Sequence, residues 1–409
     1  MIGFESIFFN YAVIAILIVY VWAMLPIVRR SFHHNSKYKW NDLLSVLLII
    51  MICFLFVVFY LIPYPWSFFF VFFTGFWTLL TFIADKILRS RLTKNPSKFV
   101  SAETKELKRM LLHGATVIYF ISALFAPLFC LLVYSIPPTL IKSEEYIDQI
   151  HHLLFSVDPY LFSIQFLIFI LMGSFIIQAN LEIIRLNWPN TNFVLKKTLI
   201  ETMRESETGS FVSHLQFIPS LTLGTILLLF FAPSITIAVN AIFAMAMISI
   251  FGDMSAALIG TRFGKHKWPF LPQKSIEGTI GGFLVSFLSA SLFIGVIMGL
   301  IGALIFVLID IFLGNKITDN FLNPILITGT FIFFVQIPDI VYLFIEIPLI
   351  GINLLPKLIY YYESTNDLIG SVLFLIIIMF IIIIVSLLIL FKYRKEEIIF
   401  LFTGKKGKK

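Results

Sequence analysis

The chain has 409 residues, of which 59% are hydrophobic and only 13% charged, about half the charged share of an ordinary soluble domain. So few polar residues cannot cover a water-facing exterior, which excludes a soluble globular protein and predicts an all-α, polytopic integral membrane protein. Two cysteines, Cys53 and Cys130, are too few for a disulfide framework or a multi-cysteine metal site. The formal net charge of +7 matters mainly through its placement between the hydrophobic segments.

Hydrophobic segments that approach the length of a bilayer crossing recur along the whole chain. A helix needs roughly 20 apolar residues to span the hydrocarbon core. We divide 280–313 into two spans because it is too long for one and contains Gly295, Gly299 and Gly302, where a turn or a close helix contact is easy. The eleven predicted spans are 7–28, 43–62, 66–84, 111–136, 160–179, 215–233, 236–251, 280–297, 299–313, 324–345 and 368–391.

The distribution of basic residues predicts the orientation of these spans. Cytoplasmic loops carry an excess of Lys and Arg. With the amino terminus outside, 28 of the 30 basic residues lie on the cytoplasmic side, and Lys142 and Lys357 are the exceptions. We therefore predict an extracytoplasmic amino terminus and a cytoplasmic carboxy terminus. The sequence shows no internal repeat, which weakens an inverted-repeat transporter interpretation.

The predicted cytoplasmic loop 252–279 carries the clearest chemical pattern. It combines a carboxylate, glycines and cations with the start of an apolar helix, and each of these suits a polyphosphate ligand. Composition alone slightly favours the alternative, a basic loop whose glycines serve turns and helix packing. A P-loop is excluded, because it needs Gly at position 259 and Ser or Thr after Lys265, whereas the sequence has Ile259 and His266. The candidate residues are Gly252, Asp253, Gly260, Arg262, Gly264, Lys265, Lys274, Ser275, Glu277 and Gly278.

Three blocks in this loop resemble one family in order. The family pattern is Gly-Asp-x-x-Ala, then Gly-x-x-Phe-Gly, then Lys-Ser-x-Glu-Gly-Ser/Thr leading into a span. It belongs to the dolichol kinase and phytol kinase family, relatives of the phosphatidate cytidylyltransferases, and the resemblance covers roughly residues 103–335. The matching blocks are Gly252-Asp253-Met254-Ser255-Ala256, Gly260-Thr261-Arg262-Phe263-Gly264 and Lys274-Ser275-Ile276-Glu277-Gly278-Thr279.

A fourth block precedes these in the chain. Residues 106–113 are similar to the family's Glu-x-x-Arg-Lys-x-x-His, with Met110 where Lys is usual. Their charged members follow helical spacing, so one helix face presents them together. The alternative is a surface ion pair beside an interfacial histidine. The residues concerned are Glu106, Arg109 and His113.

Further segments show a weaker resemblance. The charged segments 182–185 and 204–207 look like the family's cytoplasmic segment before the Gly-Asp block, although each also fits a solvated loop. Residues 318–324 resemble the family's Asp-Asp-Asn-x-x-x-Pro, with Thr318 in place of the first Asp, which removes one candidate metal ligand. Asp310 stands where the family tends to have Glu. This last block adds Asp319 and Asn320 to the candidate site.

The resemblance implies a reaction at the cytoplasmic face of the membrane. It implies that the γ-phosphoryl group of CTP is transferred, with Mg²⁺, to the primary hydroxyl of a long isoprenoid alcohol such as dolichol or another polyprenol. The general base is left open between two residues. Under this resemblance, Asp253 and Asp319 hold Mg²⁺, Lys265 and Lys274 bind phosphates, the helix after Ser275 receives the terminal phosphate, and Asp253 or His113 is the base.

The resemblance also divides the chain into three regions. Residues 1–100 form an amino-terminal extension of three spans, 101–345 the lipid kinase-like catalytic domain, and 346–409 the last loop, the last span and a basic tail. The implied partners are therefore a nucleotide and a lipid alcohol, with no nucleic acid.

Three other functions compete with this interpretation. A cytidylyltransferase would make a CDP-lipid, but the long signature of that family, Lys-Asp followed by His-Gly-Gly and Asp-Arg, is absent. A CTP-dependent diacylglycerol kinase is a second enzymatic alternative that the sequence does not exclude. A transporter would bury ionisable residues at mid-membrane, whereas here they concentrate at the predicted cytoplasmic ends of the spans.

Overall fold

The computed structural model describes residues 4–33, 36, 39–59, 71, 74, 116–123, 159–187, 209–212, 214–269, 271–313 and 318–337. All of them lie in the compact unit Met1–Leu349. The predicted last span and basic tail, most of the predicted span 66–84, and the segment 106–113 lie outside the described residues.

The described residues are almost entirely helical. Apart from the helical stretch 116–123 and a few loop or isolated residues, they form nine α-helices, two π-helical turns and one short antiparallel β-hairpin. The helices are α1 (Phe4–His33), α2 (Lys39–Phe59), α3 (Pro159–Asn187), α4 (His214–Phe231), α5 (Ile235–Met247), α6 (Asp253–Phe263), α7 (Ile276–Ile294), α8 (Val296–Leu308) and α9 (Asp319–Val335). The π turns are Ile248–Gly252 and Ile309–Leu313, and the strands are β1 (Lys267–Trp268) and β2 (Leu271–Ser275).

Five stretches of these helices are long and apolar enough to cross a membrane. Large apolar side chains point outward, with Trp22 74% and Val19 65% exposed on α1, which is the pattern expected where lipid replaces water. The protein is therefore an all-α membrane protein, as its composition predicts. The five stretches are Tyr11–His33, Ser163–Asn187, Ile237–Phe263, Ile276–Ile294 and Val296–Leu313.

The division of 280–313 into two helices is confirmed. Gly295 is the single residue between α7 and α8, and its φ of 86° lies in the region that favours glycine. The two helices then pack closely, because a Cβ on Gly299 would come within 2.8 Å of the Ser291 backbone nitrogen. Glycine thus permits both the turn and the contact that follows it.

Two predicted helix ends are wrong. The span predicted to end at residue 251 continues through a π turn and α6 to Phe263, so the first part of the predicted loop 252–279 is helical. Gly252 is tolerated inside this helix because its missing side chain makes room for Ser286 and Phe306. Similarly, α9 begins at Asp319, five residues before the predicted start, and includes Pro324.

Helices α5 to α9 surround a tightly packed interior. Phe306 of α8 and Phe331 of α9 are fully buried. Gly302 lies where any side chain would meet Ile248 and Phe331. The β-hairpin connects α6 to α7, with Lys267 paired opposite Ser275. This arrangement brings the hairpin, the amino end of α7, the π turn after α8 and the amino end of α9 together.

Candidate active site

Lys274, on the last strand before α7, lies between two carboxylates from other elements. Its ammonium group forms an ion pair with Asp310 in the second π turn, and its Nζ lies 3.6 Å from Asp319 Oδ2 at the start of α9. The side chains of Lys274, Asp310 and Asp319 are 27%, 5% and 25% exposed. We call these three residues the Lys274 cluster.

The charge of Lys274 is fixed by its surroundings. Burial alone would lower the pKa of its ammonium group, but the negative charges of Asp319, Asp310 and Asp253 together raise that pKa above its ordinary value. Lys274 is therefore protonated at neutral pH. Asp253 is close enough to act on it electrostatically, so three of the predicted site residues, Asp253, Lys274 and Asp319, come together.

Asp310, which the sequence matches to a glutamate of the family pattern, belongs to the site although it was not among the candidate site residues. It is 4% exposed, and the Thr279 hydroxyl lies 3.2 Å from its Oδ2. The Trp268 indole N–H donates to that same hydroxyl at 3.2 Å. The sequence did contain a signal for Asp310, because it lies inside the predicted span 299–313 and carboxylates within spans are rare and usually functional.

Both π turns lie next to carboxylates of the site. Ile248–Gly252 ends directly before Asp253, and Ile309–Leu313 contains Asp310. A π turn widens the helix locally and changes which side chains face inward, and such turns occur frequently at functional sites. A regular 3.6-residue period, which is all that the sequence offers, would place these two carboxylates differently.

The amino end of α7 is capped by its own sequence. Ser275 is the N-cap residue, and its Oγ accepts a hydrogen bond from the Gly278 amide at 3.1 Å. This is the usual way in which serine satisfies one free amide of a helix start. The capping bond already uses the Gly278 donor.

The glycines of the second and third family blocks lie in a close helix contact. A Cβ on Gly264 would come 2.5 Å from Ser275 Oγ, and a Cβ on Gly278 would come 2.7 Å from the Ala256 carbonyl oxygen and 2.9 Å from the Gly260 Cα. This packing of α6 on α7 by itself requires glycine at these positions. The nucleotide-binding role of these glycines stays a prediction.

Glu277 holds the loop that follows α6. One of its oxygens lies 2.6 Å from the His266 ring Nδ1, and the His266 backbone amide donates to the same carboxylate at 3.1 Å. Two other cations of the predicted nucleotide site, Arg262 and Lys265, are exposed at the end of α6 and in this loop. Glu277 therefore positions the segment that carries Lys265.

A second group of polar residues is buried at the end of α3. Glu182 and Arg185 are 1% and 7% exposed and form a two-bonded ion pair, with Arg185 Nη2 2.7 Å from Glu182 Oε2. Arg185 also donates to the Ser210 carbonyl at 2.6 Å, and the Val212 amide donates to Glu182 at 3.0 Å. The solvated-loop interpretation of 182–185 is therefore wrong.

This buried group continues towards the Lys274 cluster. Asp42 on α2 accepts a hydrogen bond of 2.9 Å from the Phe211 amide. Gln216 on α4 donates to the Asn41 carbonyl at 2.5 Å and accepts a hydrogen bond from the Thr318 hydroxyl. Thr318 is the residue that departs from the family pattern, and it is the N-cap position directly before Asp319. The amino-terminal extension is thus linked through Gln216 to the residue directly before Asp319.

The residues fit a magnesium ion that arrives with a nucleotide. Within the described ranges, no three His, Cys, Asp or Glu side chains come together as a ready-made metal site. Mg²⁺ commonly needs only one or two protein carboxylates, because water and substrate phosphates supply its other ligands. Asp253 and Asp319 are oxygen donors of this kind.

Three predicted residues cannot be placed. Glu106, Arg109 and His113 lie outside the described residues, so the choice of base between Asp253 and His113 stays open.

No protein-family model matches the chain, and comparisons with curated proteins and with solved structures likewise find no match.

Proposed function

We propose that the protein is a CTP-dependent lipid kinase that phosphorylates a polyprenol-type alcohol at the cytoplasmic membrane face. The observation that supports this most is the Lys274 cluster, in which a protonated lysine meets two carboxylates at the junction of three helical segments. Phosphoryl transfer needs cations and positioning more than covalent chemistry from the protein. The three sequence blocks that resemble the lipid kinase family add CTP and the lipid class to this proposal.

The residues of the site have distinct tasks in this reaction. The lipid hydroxyl oxygen attacks the γ-phosphorus of CTP, the bond from that phosphorus to the β–γ bridging oxygen breaks, CDP leaves, and the hydroxyl proton passes to a base. Lys274 neutralises phosphate oxygens, while Asp253 and Asp319 hold Mg²⁺. When bound, Mg²⁺ supplies electrostatic stabilisation of the charge on the transferred group. Asp253 or His113 accepts the proton.

The position of the cluster suits a lipid acceptor. Lys274 precedes α7, Asp310 lies in the π turn that follows α8, and Asp319 begins α9. The site therefore lies at the ends of two helices that are long and apolar enough to cross a membrane and at the start of the shorter apolar helix α9. An acceptor alcohol can keep its tail among these helices while its hydroxyl meets a water-soluble nucleotide.

We also propose the finer topology of eleven spans, with an extracytoplasmic amino terminus and a cytoplasmic carboxy terminus. Its support is the placement of 28 of 30 basic residues on one side. With this orientation the Lys274 cluster faces the cytoplasm, where nucleotides are available.

The decisive experiment follows the isotope label through the reaction. Purified protein is incubated with Mg²⁺, a polyprenol, dolichol or geranylgeraniol acceptor, and CTP labelled at either the α- or the γ-phosphorus. We expect γ-label in a lipid monophosphate and release of CDP. Parallel reactions with diacylglycerol and with ATP identify the acceptor and the donor.

Two results would contradict the proposal. Retention of α-label in the lipid with release of pyrophosphate would identify a cytidylyltransferase. Lack of label transfer to any of these lipids, together with substrate flux in reconstituted vesicles, would identify a transporter.

A further inference from the structure

The first turns of α9 contain two buried amide side chains with unpaired polar atoms. Asn320 is 3% exposed and Asn323 is 2% exposed. Within the described part of the chain, Asn320 Nδ2 and Asn323 Oδ1 have no hydrogen-bond partner. An unpaired buried donor or acceptor is costly, and such groups are rare in native proteins. One donor and one acceptor therefore need a polar partner at this place.

The backbone adds a third polar group. Pro324 lies inside α9 and has no amide proton, so it cannot form the helical hydrogen bond to the Asn320 carbonyl four residues earlier. Asn320 and Asn323 are three residues apart and share one side of the helix. Two unpaired side-chain atoms and one backbone carbonyl without its usual helical donor are thus concentrated at the amino end of α9.

These groups adjoin the Lys274 cluster. Asp319 directly precedes Asn320, whose backbone amide donates to Asp319 Oδ1 at 3.0 Å. The other oxygen of Asp319 lies 3.6 Å from Lys274 Nζ. Asn323 follows Asp319 by about one helical turn, a rise of roughly 6 Å. A group that both amides bind is therefore close to the cation of the proposed site.

We propose that Asn320 and Asn323 bind the hydroxyl group of the acceptor lipid, an inference that rests on the lipid kinase function proposed above. A single hydroxyl satisfies both atoms, because its oxygen accepts from Asn320 Nδ2 and its proton is donated to Asn323 Oδ1. An ionised phosphate offers only acceptors and would leave Asn323 Oδ1 unpaired. The pair therefore selects an alcohol over a lipid phosphate, and it holds the nucleophilic oxygen beside the phosphate-binding lysine.

The test measures binding without nucleotide, so that it does not depend on catalysis. Purified full-length protein is labelled with a diazirine derivative of geranylgeraniol, in competition with geranylgeraniol or with its methyl ether. The ether keeps the acceptor oxygen but lacks the proton that Asn323 would accept. We expect the ether to compete about tenfold more weakly, the effect of one lost hydrogen bond.

Variants of the two amides separate their roles. Asn323→Asp keeps an acceptor and should retain the preference for the alcohol, whereas Asn323→Leu should abolish it. Asn320→Asp removes the donor to the hydroxyl oxygen and should reduce labelling by the probe itself. Thr328→Val is the matched control, because Thr328 is 1% exposed on the same helix and its hydroxyl is also unpaired among the described residues. It should bind as the unaltered protein does.

Equal competition by alcohol and ether in the unaltered protein would overturn the proposal and leave a bound water as the partner of the amides. This comparison needs no variant, so it decides the question even if Asn323→Leu fails to fold. Unchanged labelling of folded Asn320→Asp and Asn323→Leu would also overturn it. Alcohol-selective labelling without any transfer of γ-label would support the alcohol site and refute the kinase function alone.

Discussion

Lys274 and Asp310 are 36 residues apart in the chain and form an ion pair that joins the strand before α7 to the π turn after α8. The α7–α8 hairpin lies between them. Because Gly295 reverses the chain at the far end of this hairpin, residues at its two open ends meet. The pair therefore closes the hairpin at the end where Asp319 also lies.

Lys274→Met should abolish phosphorylation and also destabilise the protein. It leaves the Asp310 carboxylate, 5% exposed, without its cation, and breaking a buried pair costs on the order of 3 kcal/mol. The double variant Lys274→Met/Asp310→Asn removes both charges and should recover most of the stability but none of the activity. Thermal denaturation of the detergent-purified proteins and the γ-label assay measure the two effects separately. Equal activity of Lys274→Met and unaltered protein would remove Lys274 from the site.

Asp253→Asn should abolish phosphorylation without preventing membrane insertion. The amide keeps the shape of the side chain but loses the charge that holds Mg²⁺, at a cost on the order of several kcal/mol in transition-state stabilisation. Asp319→Asn should behave similarly. Activity is compared at equal amounts of membrane-inserted protein. Near-normal turnover in Asp253→Asn would exclude the carboxylate from the reaction.

The sequence predicts the positions of the helices better than it predicts the polar contacts between them. The division at Gly295 followed from an overlong apolar segment with a glycine in its middle. The ion pair between Lys274 and Asp310 could not be predicted in this way. Hydrophobic periodicity does not show which polar residues of two buried elements face each other, and a π turn alters that periodicity.

The same limit explains why the sequence leaves the end of α3 open between a functional segment and a solvated loop. Charged residues at i and i+3, such as Glu182 and Arg185, usually lie on an exposed helix face. Here the segment 209–212 packs over them and supplies a carbonyl and an amide as partners. Only this tertiary contact, formed about 25 residues later in the chain, distinguishes a buried pair from a solvated one.

Gly278→Ala should destabilise the protein because the contact between α6 and α7 has no room for a methyl group. The new Cβ would come 2.7 Å from the Ala256 carbonyl oxygen and 2.9 Å from the Gly260 Cα, both parts of the backbone. Overpacking of this kind costs about 1–3 kcal/mol. Gly329→Ala is the control, since nothing lies within 4 Å of a Cβ at that position of α9. Equal melting temperatures for the two variants would contradict the packing role.

Arg185→Met should lower stability by about 3–5 kcal/mol, because it leaves Glu182 buried without its cation. Glu182→Gln/Arg185→Met should be more stable than Arg185→Met alone, since neither charge then remains. Arg29→Gln removes an exposed cation at the end of α1 and should have little effect. Melting temperatures of the purified variants measure the differences. If Arg185→Met and Arg29→Gln have the same melting temperature, the ion pair between Glu182 and Arg185 contributes little to stability.

Single-cysteine labelling tests the side of the membrane on which the site lies. Cys53 and Cys130 are first replaced by serine, and one cysteine is then introduced at position 142 or 267. Lys267 is exposed on β1, next to the loop that carries Lys265, whereas Lys142 lies outside the described residues. A membrane-impermeant maleimide added to intact cells should label position 142 and spare position 267. Permeabilised cells should show labelling at both positions, which controls for reactivity. Because Lys267 and Lys274 lie on the two strands of one β-hairpin, labelling of position 267 in intact cells would contradict both the eleven-span topology and a cytoplasmic kinase site.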